Sequence, residues 1–279
     1  MQLAGTLEEA GEIIRDSTMF VNESFLIADG KTGKAIVVEK SPERCEVREP
    51  EGDRIVCANH FLSPVFQRDA RNLAYMEEGT SVVRLARATE WVEAHKGEIT
   101  PEAAVSYVRD RKVPGVNEPV VGNAAAINML AATHAVVMDV TDGVMWVSAA
   151  PHQLGAFVPF GLDNFEAPEG KPIFPEDPLL NDEEYANYLA SLAALESARS
   201  QFMAHDLDNA IQDCQNALSL NETDYRAHAL MAEIEFARGD AESARAHIAA
   251  ARALHVAYGH EREALDALSQ AIDGQDARE

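Results

Sequence analysis

Cysteine is scarce in this chain. Three residues among 279, Cys45, Cys57 and Cys214, stand far apart and form no Cys-x-x-Cys pair. That spacing implies neither a disulfide framework nor a zinc site, and no cofactor is called for. Basic residues are also few. Lysine and arginine total 23 against 47 aspartates and glutamates, for a formal net charge of −24. Roughly two-thirds of the acidic excess follows Asp163. Such a surface repels phosphate backbones and anionic lipid, so nucleic acid and membrane surfaces are poor partners. Long apolar runs are missing as well, and none approaches the roughly 18 residues needed to span a bilayer. The start of the sequence has no basic region followed by an apolar stretch, which argues against a secretory signal. The expected location is the cytoplasm.

With 47% hydrophobic and 25% charged residues, the chain suits one sizeable globular domain or two smaller ones. Thr6 to Arg15 has the marks of a helix: Thr6 as cap, Glu9 as capping-box partner, and Leu7, Ala10, Ile13 and Ile14 at helical spacing. Phe25 to Asp29 and Ala35 to Glu39 predict a hairpin around Gly30 to Gly33. Cys45 to Arg48 and Arg54 to Ala58 predict a second around Pro50 to Asp53. Helices are expected over Ser81 to His95 and over Pro101 to Arg109, the latter with proline in its first turn. Lys112 to Asn128 reads as loop, and Ala135 to Asp139 with Val144 to Ser148 as a last hairpin. Residues 163 to 182, rich in Pro, Asp and Glu, have the composition of a linker.

Beyond residue 182 the pattern is helical and repeats itself. Ala198, Phe202, Asp206, Ala210, Ala217 and Leu220 recur as Ala232, Phe236, Asp240, Ala244, Ala251 and Leu254, always 34 residues on. That period, with small residues where helices approach closely, is the signature of tetratricopeptide repeats. An alanine-rich bundle with accidental self-similarity is the alternative. Two repeats are fewer than usually stand alone, so the array is expected to lean on the first domain or to use Arg262 to Ile272 as a capping helix.

The segment Phe20 to Glu39, followed by Ile55 to Phe61, resembles the choloylglycine-hydrolase and penicillin-acyltransferase branch of the N-terminal-nucleophile hydrolases. The likeness lies in the order of motifs: a strand ending in Ala-Asp, a Gly turn, a strand ending in Val-Glu, and a strand ending in an Asn corner. Ser81 to Arg87 is similar to the family's Ser/Arg helix, and residues 133–139, 145–147 and 157–160 to its closing strands. The resemblance runs from Leu7 to about Leu162. It implies an α+β fold, part of a sandwich of two antiparallel sheets between helical layers, over residues 1–162. A linker at 163–182 and all-α repeats at 183–279 would follow. It also implies cleavage or formation of linear amides by an N-terminal cysteine that uses its own α-amine as base. Asn59 falls on the family's oxyanion-stabilising Asn, and Arg84 near its active-site Arg. Apart from the resemblance, an Asn there is a turn former and an Arg there a surface ion-pair partner. Asn22, His60 and His134 stand beside motif residues but read as structural.

The family's nucleophile belongs upstream of everything matched. Cys57 shares a predicted strand face with Asn59 but has no free α-amine, and Cys45 and Cys214 read as small buried residues. What is expected is a half-site, inactive by itself. Three accounts stay open. A separate polypeptide supplies the nucleophile segment to a split or truncated enzyme; the chain is a non-catalytic remnant whose repeats bind a protein partner; or an open sheet edge leaves it marginally stable.

Overall fold

A computed structural model describes residues 3–276. Backbone contacts divide the chain into two units. One runs through Val108 and takes in His134–Ala150 and Ala156–Pro175; the other comprises Arg109–Thr133, Pro151–Gly155 and the chain from Glu176 onward.

The first unit opens with helix α1 (Leu7–Asp16). Thr6 Oγ1 caps it by accepting the Glu9 N–H, while the Glu9 carboxylate accepts from Gly5 N, one residue before the usual capping-box donor. Strands β1 (Glu23–Asp29), β2 (Lys34–Lys40) and β3 (Cys45–Arg48) then form an antiparallel sheet in that order. The register sets Phe25 opposite Val38, Ile27 opposite Ile36 and Val38 opposite Val47. Strand alternation therefore gathers these residues on one face, where Leu7 and Ile14 of α1 cover them. On the reverse face of β2, Val37 and Glu39 are fully buried too.

Three helices follow: α2 (Ala70–Glu78), α3 (Ser81–Ala94) and α4 (Pro101–Val108). The composition of residues 62–80 announced no element, but Asp69 caps α2 through the Arg71 and Asn72 N–H groups. Strands β4 (Val136–Asp139), β5 (Val144–Ser148) and β6 (Phe157–Gly161) make a second antiparallel sheet, and Val105 of α4 packs on its Val137, Val144, Trp146 and Phe157. The β1–β2 turn abuts the loop after β4 so closely that a Cβ on Gly30 would lie 1.8 Å from the Val140 carbonyl oxygen, which only glycine allows.

The expected fourth strand at Arg54–Ala58 does not form. A single bridge joins Glu51 to Arg54, and residues 55–58 belong to no ladder. The Val56 carbonyl is taken instead by the Arg48 guanidinium at 2.6 Å. Asn59 thus stands at a bend rather than at a strand end.

The second unit is mostly helical: α5 (Glu183–Met203), α6 (Leu207–Leu220), α7 (Tyr225–Arg238), α8 (Ala241–Ala253) and α9 (Gly259–Asp276). The sequence period reappears in its caps. Asp206 accepts from Asn209 N at the head of α6, and Asp240 from Ser243 N at the head of α8. The recurring alanines, Ala198, Ala210 and Ala217 with their counterparts Ala232, Ala244 and Ala251, are all buried where helices pack. Helix α9 closes the array and buries Leu265 and Ile272. Within the same unit, Val121, Leu130 and Leu154 pack with Tyr188 of α5, and Arg109 donates to the Gln153 and Gly155 carbonyls. Residues 163–175 lie with the first unit, where Phe174 bridges to Phe157, and 176–182 lie with the second. Among the described residues no helix is long and apolar enough to cross a membrane.

Candidate functional site

Residues 59–63 form a corner whose backbone N–H groups all bond to side chains. Asn59 N and His60 N donate to Ser81 Oγ at 2.8 and 3.1 Å. Phe61 N donates to Asn72 Oδ1 at 2.9 Å, and the Asn72 amide returns a bond to the Phe61 carbonyl at 3.0 Å. Leu62 N and Ser63 N donate to the two oxygens of Glu39, at 2.9 and 2.8 Å. Those partners, on α3, α2 and β2, are all buried. Here side chains fulfil what a neighbouring strand would otherwise supply, which is why the segment needs no ladder. Arg48 adds an ion pair to the Glu39 carboxylate, and together with the two amides it compensates the buried charge.

Asn59 is exposed at the tip of this corner. Its Oδ1 accepts from Arg84 Nη2 at 2.7 Å, and Arg84 Nε reaches back to Thr80 Oγ1 at 3.3 Å. The structure therefore joins the two residues that the sequence singled out 25 positions apart. An arginine can only donate, so the amide oxygen has to face it and the Nδ2 group is turned away. Among the described residues Nδ2 has no hydrogen-bond partner.

His60 is 2% exposed, and burial pushes its imidazole below the ordinary histidine value, with Glu39 and Arg84 acting in opposite senses. Cys57 is half-buried, and burial raises its thiol, opposed by Arg48 and reinforced by Glu39. A raised pKa leaves little thiolate at neutral pH, so Cys57 is a poor nucleophile. Cys214 is pushed up to about 12 by burial, and its thiol donates to the Ala227 carbonyl. Cys45 is half-buried against the α1 face of the first sheet. Asn22 and His134 are exposed. No cluster of three or more potential metal ligands exists among the described residues.

Composition and spacing missed Ser81 as an anchor and Glu39, Asn72 and His60 as partners of the corner. One signal was available: Glu39 closes the apolar run Ala35 to Val38 within a single strand, and a charge in a buried strand needs dedicated partners.

A protein-family model described as acyl-coenzyme A:6-aminopenicillanic acid acyl-transferase matches residues 2–147, more than half the chain, and the chain belongs to that family. A tetratricopeptide-repeat model matches residues 201–258. No curated protein and no solved structure matches the chain.

Proposed function

We propose that the first unit is the oxyanion half of an acyltransferase or linear-amide hydrolase site. Asn59 is its hydrogen-bond donor, Arg84 its orienting cation, and the nucleophile comes from a separate cysteine-led segment. The observation that carries this reading is the Arg84–Asn59 bond, because it turns the amide N–H group outward and holds it there. A donor facing a tetrahedral intermediate has to be polar, uncharged and fixed before the reaction begins. In the proposed reaction the cysteine sulfur attacks the substrate carbonyl, and its α-amine takes the thiol proton. Asn59 Nδ2 donates to the developing oxyanion. As the intermediate collapses, the C–N bond breaks and the α-amine returns the proton to the leaving amine. Water or an acceptor amine then removes the acyl group from sulfur. In this account the two three-stranded sheets with α1 and α4 are parts of an αββα sandwich that the cysteine-led segment completes.

The test is complementation. The chain by itself should not turn over a chromogenic acyl amide, whereas co-expression with a family-type cysteine-led segment should yield activity. Turnover by the chain alone, abolished by Cys57→Ala, would place the nucleophile inside the chain and overturn the proposal.

A second reading, a non-catalytic remnant that binds a protein through its repeats, is favoured by one feature. A groove of about 400 Å³ runs along α5, α7 and α9, with Phe202, Met203, Leu265 and Leu268 among its walls. Failure of complementation together with capture of a protein partner dependent on Met203 would favour it.

A further inference from the structure

One turn of α3 holds Asn59 at both ends. Ser81 fixes its backbone N–H, and Arg84 fixes its side-chain oxygen. The Ser81 hydroxyl has a third partner, His60 Nδ1, at 2.8 Å. A hydroxyl carries two lone pairs and one proton. Both lone pairs already receive N–H groups, from Asn59 and His60, so the proton must go to Nδ1. His60 therefore holds its own proton on Nε2 and presents a bare Nδ1 to Ser81. The network closes only with His60 neutral. Protonating Nδ1 would bring a third donor onto an oxygen with no lone pair left and would turn the serine proton away from its acceptor.

We propose that Ser81 and His60 form a proton-sensitive positioning pair for Asn59, in which a neutral His60 locks the serine hydroxyl and the serine hydroxyl locks the corner that presents the Asn59 amide. The role assigned to Asn59 rests on the half-site reading; the lock itself does not. Two charged groups bear on His60. Glu39 of β2 favours the imidazolium and Arg84 of α3 opposes it, while Arg48 of β3 is paired with Glu39. Burial is the largest influence and acts in the same direction as the geometry, towards the neutral ring.

The experiment is an NMR titration of the ¹⁵N-labelled full chain between about pH 8 and pH 5, following the His60 ring nitrogens and the Asn59 backbone amide. At neutral pH the Nδ1 resonance should be that of an unprotonated nitrogen. As the pH falls, the Asn59 amide should shift with the same midpoint as His60, below the ordinary histidine value. His60→Asn offers a carboxamide oxygen in place of Nδ1 and does not titrate. In that variant the Asn59 amide should keep its neutral-pH position and lose the pH response. Ser81→Thr, which keeps the hydroxyl, should retain the wild-type titration. A protonated Nδ1 at neutral pH would overturn the proposal. So would an Asn59 amide that stays flat while His60 titrates, or an unchanged titration in His60→Asn. None of these readouts involves acyl transfer, so failed complementation would count against the half-site reading alone.

Discussion

In the proposed site, Asn59 and Arg84 would divide between them what a single charged residue would do badly. A cation in direct contact with the reacting carbonyl would bind any anion that entered; a carboxamide oriented by a cation presents a neutral donor in a fixed direction. Arg84→Lys should therefore not be conservative. A lysine keeps the charge but loses the planar fork that contacts Asn59 and Thr80 together. In the complemented enzyme we expect Arg84→Lys to lower kcat roughly tenfold or more with little change in stability, because the amide is then free to rotate. Cys57→Ala should leave kcat unchanged, since a thiol that burial pushes up is a poor nucleophile. Both variants can be assayed in one steady-state series. Glu39 belongs to the same scale but acts on stability. Glu39→Leu strands the Leu62 and Ser63 amides and the Arg48 charge, and urea titration should show a loss of about 2–4 kcal/mol.

At the scale of elements, the repeat was legible because its period is set by local chemistry: an aspartate cap and small residues at crossings, each visible in one dimension. Asp206 and Asp240, and the alanines 34 positions apart, keep in the structure the places the sequence gives them. The hairpins around Gly30 and Gly143 were legible for the same reason. The segment at Arg54–Ala58 misled, since its composition favours a strand. Its Val56 carbonyl goes to Arg48, and Ser81, Asn72 and Glu39, all distant in sequence, take the N–H groups of the corner beyond it. Helix α2, whose one buried residue is Asn72, was passed over despite its Asp69 cap. Within the repeats one pair carries a pH dependence. His228 Nδ1 and His247 Nδ1 meet at 2.9 Å between α7 and α8, so one ring donates and the other accepts. Burial holds both below the ordinary histidine value. A histidine depressed in the fold stabilises the fold above its unfolded pKa, and that contribution fades as the pH falls through the folded value. The pair should thus contribute less stability near about pH 5 than near about pH 7.5, alongside the likewise depressed His255 and against the raised Glu233, and His247→Gln should reduce the difference when circular dichroism melts are compared.

For the whole molecule, sequence and structure part company over where each unit draws its chain. Composition marks one acidic, proline-containing stretch at 163–182, whereas the backbone contacts send Arg109–Thr133 and Pro151–Gly155 to the helical unit. That exchange depends on Tyr188 meeting Val121, Leu130 and Leu154, contacts that no local pattern announces. Limited proteolysis tests the arrangement. Cutting between Asp163 and Asp182 should be preferred and should give a helical C-terminal fragment; if residues 109–133 are needed to cover Tyr188, that fragment should melt below the helical transition of the intact chain. Preferred cutting between Phe202 and Leu254 would contradict the repeat assignment.

The proposed role of the Asn59 amide as oxyanion donor is tested most directly by kcat for Asn59→Ala in the complemented enzyme. Losing one such donor costs about 3 kcal/mol of transition-state stabilisation, so kcat should fall by roughly two orders of magnitude while KM and the unfolding midpoint stay near wild type. A kcat within a few-fold of wild type in an active, fully folded complex would contradict the account and leave Asn59 as a turn residue held by its neighbours.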